Sequence, residues 1–481
     1  MPTINKQSVR EEFDRLKSEF EKLSKNKKMS PEAVTLFSGL MMLLNLMFSI
    51  FLEKTTKKTS RNSNIPSSQT QKDESSKDTP KTNAKGRAEK TTIAANTRTV
   101  ETTELIPVEQ CSYCGEILSN VSCKCHERRI RIDIIFEKTV EHVDAEIKEC
   151  PSCLKTVKAA FPEYLKGPLQ YGDGIKAFVV QLLIIQMLSL NRAQKMLTAL
   201  VGAVISEATM LSYIMRVFFA LEQWEEDAKT MLIEQPYINS DETSMRVDKK
   251  NYWVHSYSSA DITLKLLHRK RGKEAIEKLN IIPRYGGVLI HDCWSSYLSY
   301  ENCLHGLCGS HLLRELTYII DSNDYAWAKN MKKLLQEYCS KVSRMKSKRL
   351  SKKEYGRFQK RYRNILTRAE KELPPIPEVK EKKRGKVAKS DAHNLWERFS
   401  KYEAEILLFA KLSYVPFTNN RAERDLRMSK VKQKVSGCFR AEKYAHAYCR
   451  ISSYLQTMCN KGINPLVAIQ MALSGKIYNK G

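Results

Sequence analysis

Acidic residues are in short supply here: 54 Asp and Glu face 81 Lys and Arg over 481 residues, a formal charge of +27. That imbalance says nothing about fold, but it favours a polyanionic partner. Nucleic acid is the first candidate and an anionic membrane surface the second. The N-terminus, MPTINKQSVREEFDRLK, has no apolar h-region, which argues against a secretory leader. The 13 cysteines are odd in number and scattered, so no extracellular disulfide framework is expected. A cytoplasmic, reducing location is the expectation. Apolar residues are not scarce, at 42%, and the chain is long enough for several domains.

One stretch lacks charge altogether. Val34 to Leu52 approaches the roughly 20 residues of a membrane-spanning helix. Basic residues flank both ends (Lys25, Lys27, Lys28; Lys54, Lys57, Lys58), so no positive-inside bias orients it. Asn45 sits mid-segment between Ser38 and Ser49. Leu36, Leu40, Leu43, Met47 and Ile50 follow the alternating spacing of a coiled-coil seam. The expectation is an oligomerisation helix rather than a membrane contact.

Phe13, Leu16, Phe20 and Leu23 mark a first amphipathic helix, and Ser30-Pro31-Glu32 reads as the capped start of a second. These helices fill residues 1–58. Residues 59–104 lack aromatics and have few aliphatics, too little apolar surface to offset ordering entropy, and read as a linker. A cysteine-bearing module follows at 105–156, then dense helical apolar spacing over 164–233. The period then changes. PYINSD, YWVHSYSS, ITLKLLHR and GVLIHD are short β-rich runs, with a helix, KEAIEKLN, before the last. After about Asn302 the pattern is helical again, and residues 341–390 carry a large excess of Lys and Arg expected to be solvated or to track phosphates.

Cys111-x-x-Cys114 and Cys150-x-x-Cys153 are two knuckles whose four thiolates suit a tetrahedral structural Zn²⁺. Cys123, Cys125 and His126 compete as ligands, and ordinary reduced cysteines are the plainer alternative.

Two acids close predicted strands: Asp241 in YINSDET and Asp292 in GVLIHDCW. Alone, each is more often a turn or cap residue. Together, with a strand–helix–strand interval between them, they are natural neighbours, since adjacent strands lie about 4.8 Å apart. Carboxylates so placed can hold two Mg²⁺, with Mn²⁺ as a substitute, around a phosphodiester. A third acid is needed, and Glu315, Glu337, Glu405 and Glu423 compete for the place. Glu423 shares a predicted helix face with Asn419, Asn420, Arg427 and Lys430, next to Arg424. A surface helix with i,i+4 ion pairs explains that pattern equally well.

The order of these segments resembles that of the insertion sequence 66 family of bacterial DDE transposases almost end to end. KKTSRNSNIPSS, CSYCG, ERRIRIDI, TVEHVDAEIKECPSC, SDET, HDCWSSY, CGSHLLREL, NNRAERDLR and GINPL are similar to successive family segments. The resemblance implies three acids, which fall on Asp241, Asp292 and Glu423. It also implies that Cys308 and His311 form a CxxH element supporting the active site; a second zinc site is the rival, and a structural cysteine with a core histidine the third reading. The implied architecture is multidomain α+β: a ribonuclease-H-like catalytic core at 234–435 with a basic helical insertion about 325–400, helical N-terminal regions, a zinc-ribbon-like module, a DNA-binding region at 164–233 and a helical tail at 436–481. Implied partners are double-stranded DNA (element ends and target), further copies of the chain, and accessory proteins of the same element. One departure matters. The candidate recognition helix, ISEATMLSYIMRVF, has Arg216 as its single basic residue, whereas phosphate contacts normally need more cations. A zinc-dependent DNA-binding regulator without catalysis, and a membrane-anchored nucleic-acid protein, are the alternative functions.

Overall fold

The structure, a computed structural model, describes residues 6–26, 29–59, 62, 102–132, 138–202, 204–376 and 388–477. The linker expected over 59–104 lies almost wholly outside them, as does the basic run 377–387. The chain forms two compact units: residues 1–86 with 226–433, and residues 87–225 with 434–481.

The first unit opens with a helical hairpin. Phe13 and Phe20 of α1 (Lys6–Lys25) stack on Phe48 and Phe37 of α2 (Pro31–Thr55), with ring centres 5.6 and 6.3 Å apart. Ser30 caps α2 as its sequence predicts: the hydroxyl accepts the Ala33 amide, and Pro31 fills the first helical position. By length and composition α2 could cross a membrane. Its C-terminal turns bury Leu46, Ser49, Leu52 and Glu53 within this unit, while Leu36, Leu40, Leu43 and Met47 of the expected seam stay exposed.

The cysteine module begins the second unit. In the first knuckle the Cys111 amide bonds the Glu116 carbonyl, and the Gly115 amide returns to Cys111. Cys150 and Cys153 occupy the turn between β1 (Ile147–Glu149) and β2 (Thr156–Lys158), an antiparallel pair. Gly115 and Leu154, each following a second cysteine, take positive φ (80° and 54°) at the tight return of the chain. Then come α3 (Asp173–Val180), which runs into a π-helical turn at Gln181–Ile185, α4 (Leu190–Val201) and α5 (Glu207–Ala220). α6 (Glu222–Ile233) begins in this unit and ends in the other.

The rest of the first unit is built on a sheet. β3 (Tyr237–Val247), β4 (Lys250–Ser259) and β5 (Ile262–His268) form an antiparallel meander. Asp248 and Lys249 take positive φ (45° and 60°) in the two-residue turn joining β3 to β4, the conformation that matches strand twist. α7 (Lys273–Leu279), where KEAIEKLN predicts it, leads to β6 (Val288–His291). β6 pairs parallel with β3, and all four of its residues are buried, which explains its uninterrupted apolar run. After α8 (Ser295–Leu298), β7 (Leu304–Leu307) adds a second parallel pairing. The order β5-β4-β3-β6-β7 makes a mixed sheet within an α+β unit.

Two expectations need correction here. β3 continues six residues past Asp241, so that residue lies mid-strand rather than at the strand's close. β7 is a strand where sequence periodicity gives only helix; four residues are too few to show a period.

A helical layer follows: α9 (Gly309–Asn323), α10 (Ala326–Arg344), α11 (Lys352–Glu372), α12 (Asp391–Lys401), α13 (Glu403–Lys411) and α14 (Asn420–Ser436). Its core gathers Trp327, Phe358, Tyr362, Phe399 and Phe409, with Tyr338 stacked on Phe358 at 3.9 Å. Outward cations are partly paired, Arg361 with Glu337 and Arg363 with Glu403. α2 packs on α9, and its buried Glu53 carboxylate accepts the Asp391 and Ala392 amides that open α12.

α15 (Glu442–Asn460) and α16 (Pro465–Leu473) complete the second unit. Arg450 grips Glu225 through two nitrogens at 3.0 Å and lies 4.0 Å over the Phe218 ring.

Candidate active site

The site starts from strand register. Asn239 of β3 pairs with Ile290 of β6, so Asp241 within β3 and Asp292, one residue past the end of β6, are brought close together. Asp241 accepts the Glu242 amide at 2.9 Å and Asp292 the Trp294 amide at 3.0 Å. Burial, then the charges of Glu242 and Asp292 and more weakly Glu423, push the Asp241 carboxyl well above the usual carboxylate range. Burial also raises Asp292, against the Trp294 amide and the charges of Arg271 and Arg398.

A stability consequence follows. Both folded-state pKa values are raised, so the associated stability is fully present below the ordinary Asp pKa and is lost as pH rises through the folded-state values. In metal-free protein, Asp241→Asn should therefore lose less thermal stability than wild type between about pH 4 and 8, because it cannot ionise. Parallel melting curves for the two proteins across that range would contradict the assignment of buried, mutually repelling acids.

The third acid is held by a strip of four consecutive residues. Cys308 Sγ accepts the Asn419 amide at 3.1 Å. The Gly309 amide donates to the Phe417 carbonyl at 2.8 Å, and a Cβ at Gly309 would meet the Phe417 ring at 2.2 Å, so only glycine fits this approach. Ser310 donates to the Asn420 side chain at 3.3 Å. His311 Nδ1 faces Glu423 Oε1 at 3.5 Å, and Arg314 lies 3.6 Å from the same oxygen. Asn419 is buried; its amide group bonds the Asn239 side chain at 2.8 Å and the Ser240 carbonyl at 2.7 Å. The CxxH element thus zips the start of α9 to the start of α14 and aligns Glu423 beside the strand bearing Asp241.

The other candidate acids have different surroundings, and Glu315, through Arg398, also lies near Asp292. Glu315 pairs with Arg398, Glu337 with Arg361, and Glu405 lies in the first turn of α13. Arg424, Arg427 and Lys430 are exposed along α14. In the second turn of that helix, buried Asp425 accepts the Ser258 and Thr263 hydroxyls at 2.6 and 2.9 Å, fastening α14 to β4 and β5.

Sequence reading missed a network beside the aspartates. Glu242, 2% exposed, receives the Tyr297 hydroxyl at 2.7 Å on one oxygen and the Arg271 guanidinium on the other. Arg271 lies between two indoles, 4.9 Å from the Trp253 ring centre and 4.4 Å from Trp294. With both oxygens engaged, Glu242 serves to hold Arg271 at the rim of the site. The available signals were an acid adjoining Asp241 and a Trp two residues after Asp292.

Among the described residues, Cys308, His311 and Glu423 are the one group of three or more candidate metal ligands lying within 4.8 Å of one another. The four module thiols are not gathered into such a set. Each knuckle is nonetheless shaped for a thiolate: backbone amides of Tyr113 and Cys114 lower the Cys111 pKa, and those of Cys153 and Ser152 lower that of Cys150.

No curated protein matches the chain. A family model described as Transposase IS66 family matches residues 168–447, more than half of the 481 residues. The chain belongs to that transposase family.

Proposed function

We propose that the chain cuts and rejoins DNA at the ends of a bacterial insertion sequence, with Asp241, Asp292 and Glu423 as ligands of two divalent cations, Mg²⁺ in the first instance. The observation that carries this reading is the closeness of two half-buried carboxyls, Asp241 on β3 and Asp292 just past the end of the parallel strand β6, beside a third, Glu423, whose Oε1 is buried without a hydrogen-bond partner. Such a set suits hard cations, which take oxygen ligands and would relieve the repulsion. When bound, the ions supply an activated oxygen nucleophile and stabilise charge on the phosphorus and the leaving oxygen.

The chain's own residues do the rest. Asn419, Asn239 and the 308–311 strip hold the start of α14, and with it Glu423, beside β3. Arg271 lies at the edge, where a guanidinium meets a DNA phosphate. Exposed Arg424, Arg427 and Lys430 extend that positive face along α14. The strand order β5-β4-β3-β6-β7, three antiparallel strands and then two parallel, supports a ribonuclease-H-like core.

DNA binding by the helical second unit belongs to the same reading. α4 offers exposed Arg192 and Lys195, and exposed Arg216 is the basic residue of α5, so phosphate contacts come from both helices rather than from α5 alone. In the cysteine module, the lowered pKa values of Cys111 and Cys150 suit a structural Zn²⁺ that would draw the two knuckles together with Cys114 and Cys153. Two DNA ends must be handled at once, so assembly of more than one copy is expected, with the exposed face of α2 as its contact. Magnesium-dependent cleavage of the repeats flanking the chain's own gene tests the proposal.

A further inference from the structure

We infer that Cys308, His311 and Glu423 form a second cation site, selective for a soft divalent ion such as Zn²⁺ or Cd²⁺, whose occupation withdraws Glu423 from the aspartate pair. Binding itself is independent of the proposed function; the consequence for cleavage rests on it.

The geometry is that of a ligand set. One sulfur, one ring nitrogen and one carboxylate oxygen lie within 4.8 Å of one another. An ion at the roughly 2.0–2.3 Å distances of zinc ligation can be reached by all three with small side-chain movement. Two of the donors make no hydrogen bond: the buried atoms His311 Nδ1 and Glu423 Oε1, which face each other at 3.5 Å. The zipper between α9 and α14 accounts for Cys308, Gly309 and Ser310, but it leaves these two atoms unsatisfied.

The sulfur is prepared as well. The Asn419 amide donates to Cys308 Sγ at 3.1 Å, a contact that a metal-bound thiolate can keep. Sulfur and imidazole donors favour Zn²⁺ or Cd²⁺, whereas Mg²⁺ takes oxygen. Arg314 opposes binding, lying 3.6 Å from Glu423 Oε1. Two anionic ligands outweigh that one cation, and Arg314 is about a quarter exposed, so it can turn to solvent.

The test counts Cd²⁺ bound per full-length chain after gel filtration, for wild type, Cys308→Ser and His311→Gln. Serine is itself a strong N-cap, so Cys308→Ser keeps the start of α9 while removing the soft ligand. Each variant should bind one Cd²⁺ fewer than wild type, and Cys308→Ser should also lose one sulfur-to-cadmium absorption band. Equal counts in all three proteins would overturn the site. Added Zn²⁺ should also suppress Mg²⁺-supported cleavage by wild type; a full wild-type Cd²⁺ count without that suppression would overturn the withdrawal of Glu423. No DNA enters the cadmium count, so its failure and failure of the transposase mechanism are read separately.

Discussion

Replacing Asp241 or Asp292 by Asn is expected to lower DNA cleavage and strand transfer about a thousandfold or more, with DNA affinity within a few-fold of wild type. The amide keeps size and hydrogen-bonding reach but removes the charge that holds a hard cation. Glu423→Gln should behave alike, because Asn419 and the 308–311 strip keep its helix in place whatever its charge. Glu337→Gln is the control, an exposed acid paired with Arg361 in the helical layer. Single-turnover cleavage beside a gel-shift titration separates the two quantities. Near-normal cutting by either aspartate variant removes it from the site.

Asp425→Ala should cost about 3 kcal/mol of stability and impair cleavage although no proposed ligand is touched. Its carboxylate is buried, accepts the Ser258 and Thr263 hydroxyls and lies 3.5 Å from Arg421 Nε. Truncation removes the acceptor shared by two buried hydroxyls and the carboxylate that faces Arg421. It also removes one of the ties of α14, that to β4 and β5 two residues beyond Glu423, so the position of Glu423 is less tightly fixed. Asp425→Asn, which keeps the acceptor oxygen, should lose clearly less. Denaturant unfolding measures the first effect and cleavage by the still-folded fraction the second; an Ala variant as stable and active as wild type would show that this anchor carries nothing.

Local chemistry made much of this fold legible. Ser30-Pro31 announces a helix start, KEAIEKLN a helix, and GVLIHD a buried strand ending at an acid, because caps and periods are written in neighbouring residues. β7 escapes because Leu304–Leu307 is shorter than a period and includes a His and a Gly. Asp241 reads as a strand end because polar residues follow it, yet β3 continues in pairing with β4 to Val247. Asp241 and Asp292 stand out in the sequence by their place after apolar runs. No such local signal separates Glu423 from Glu315; they differ in what the fold puts beside them, Arg398 for Glu315 and the 308–311 strip for Glu423. The Glu242–Arg271 pair spans most of β4, β5 and their turns, and strand register alone creates it. The spacing of Leu36, Leu40, Leu43 and Met47 shows an apolar face but not what covers it.

The most direct measurement incubates the full-length protein with DNA carrying the repeats that flank its own gene, in Mg²⁺ or in EDTA, and maps every broken bond. The expected result is Mg²⁺-dependent cuts at the element's ends that leave a free 3′-hydroxyl and no protein attached. Cuts that persist in EDTA, or that leave the chain covalently joined to DNA, would contradict it.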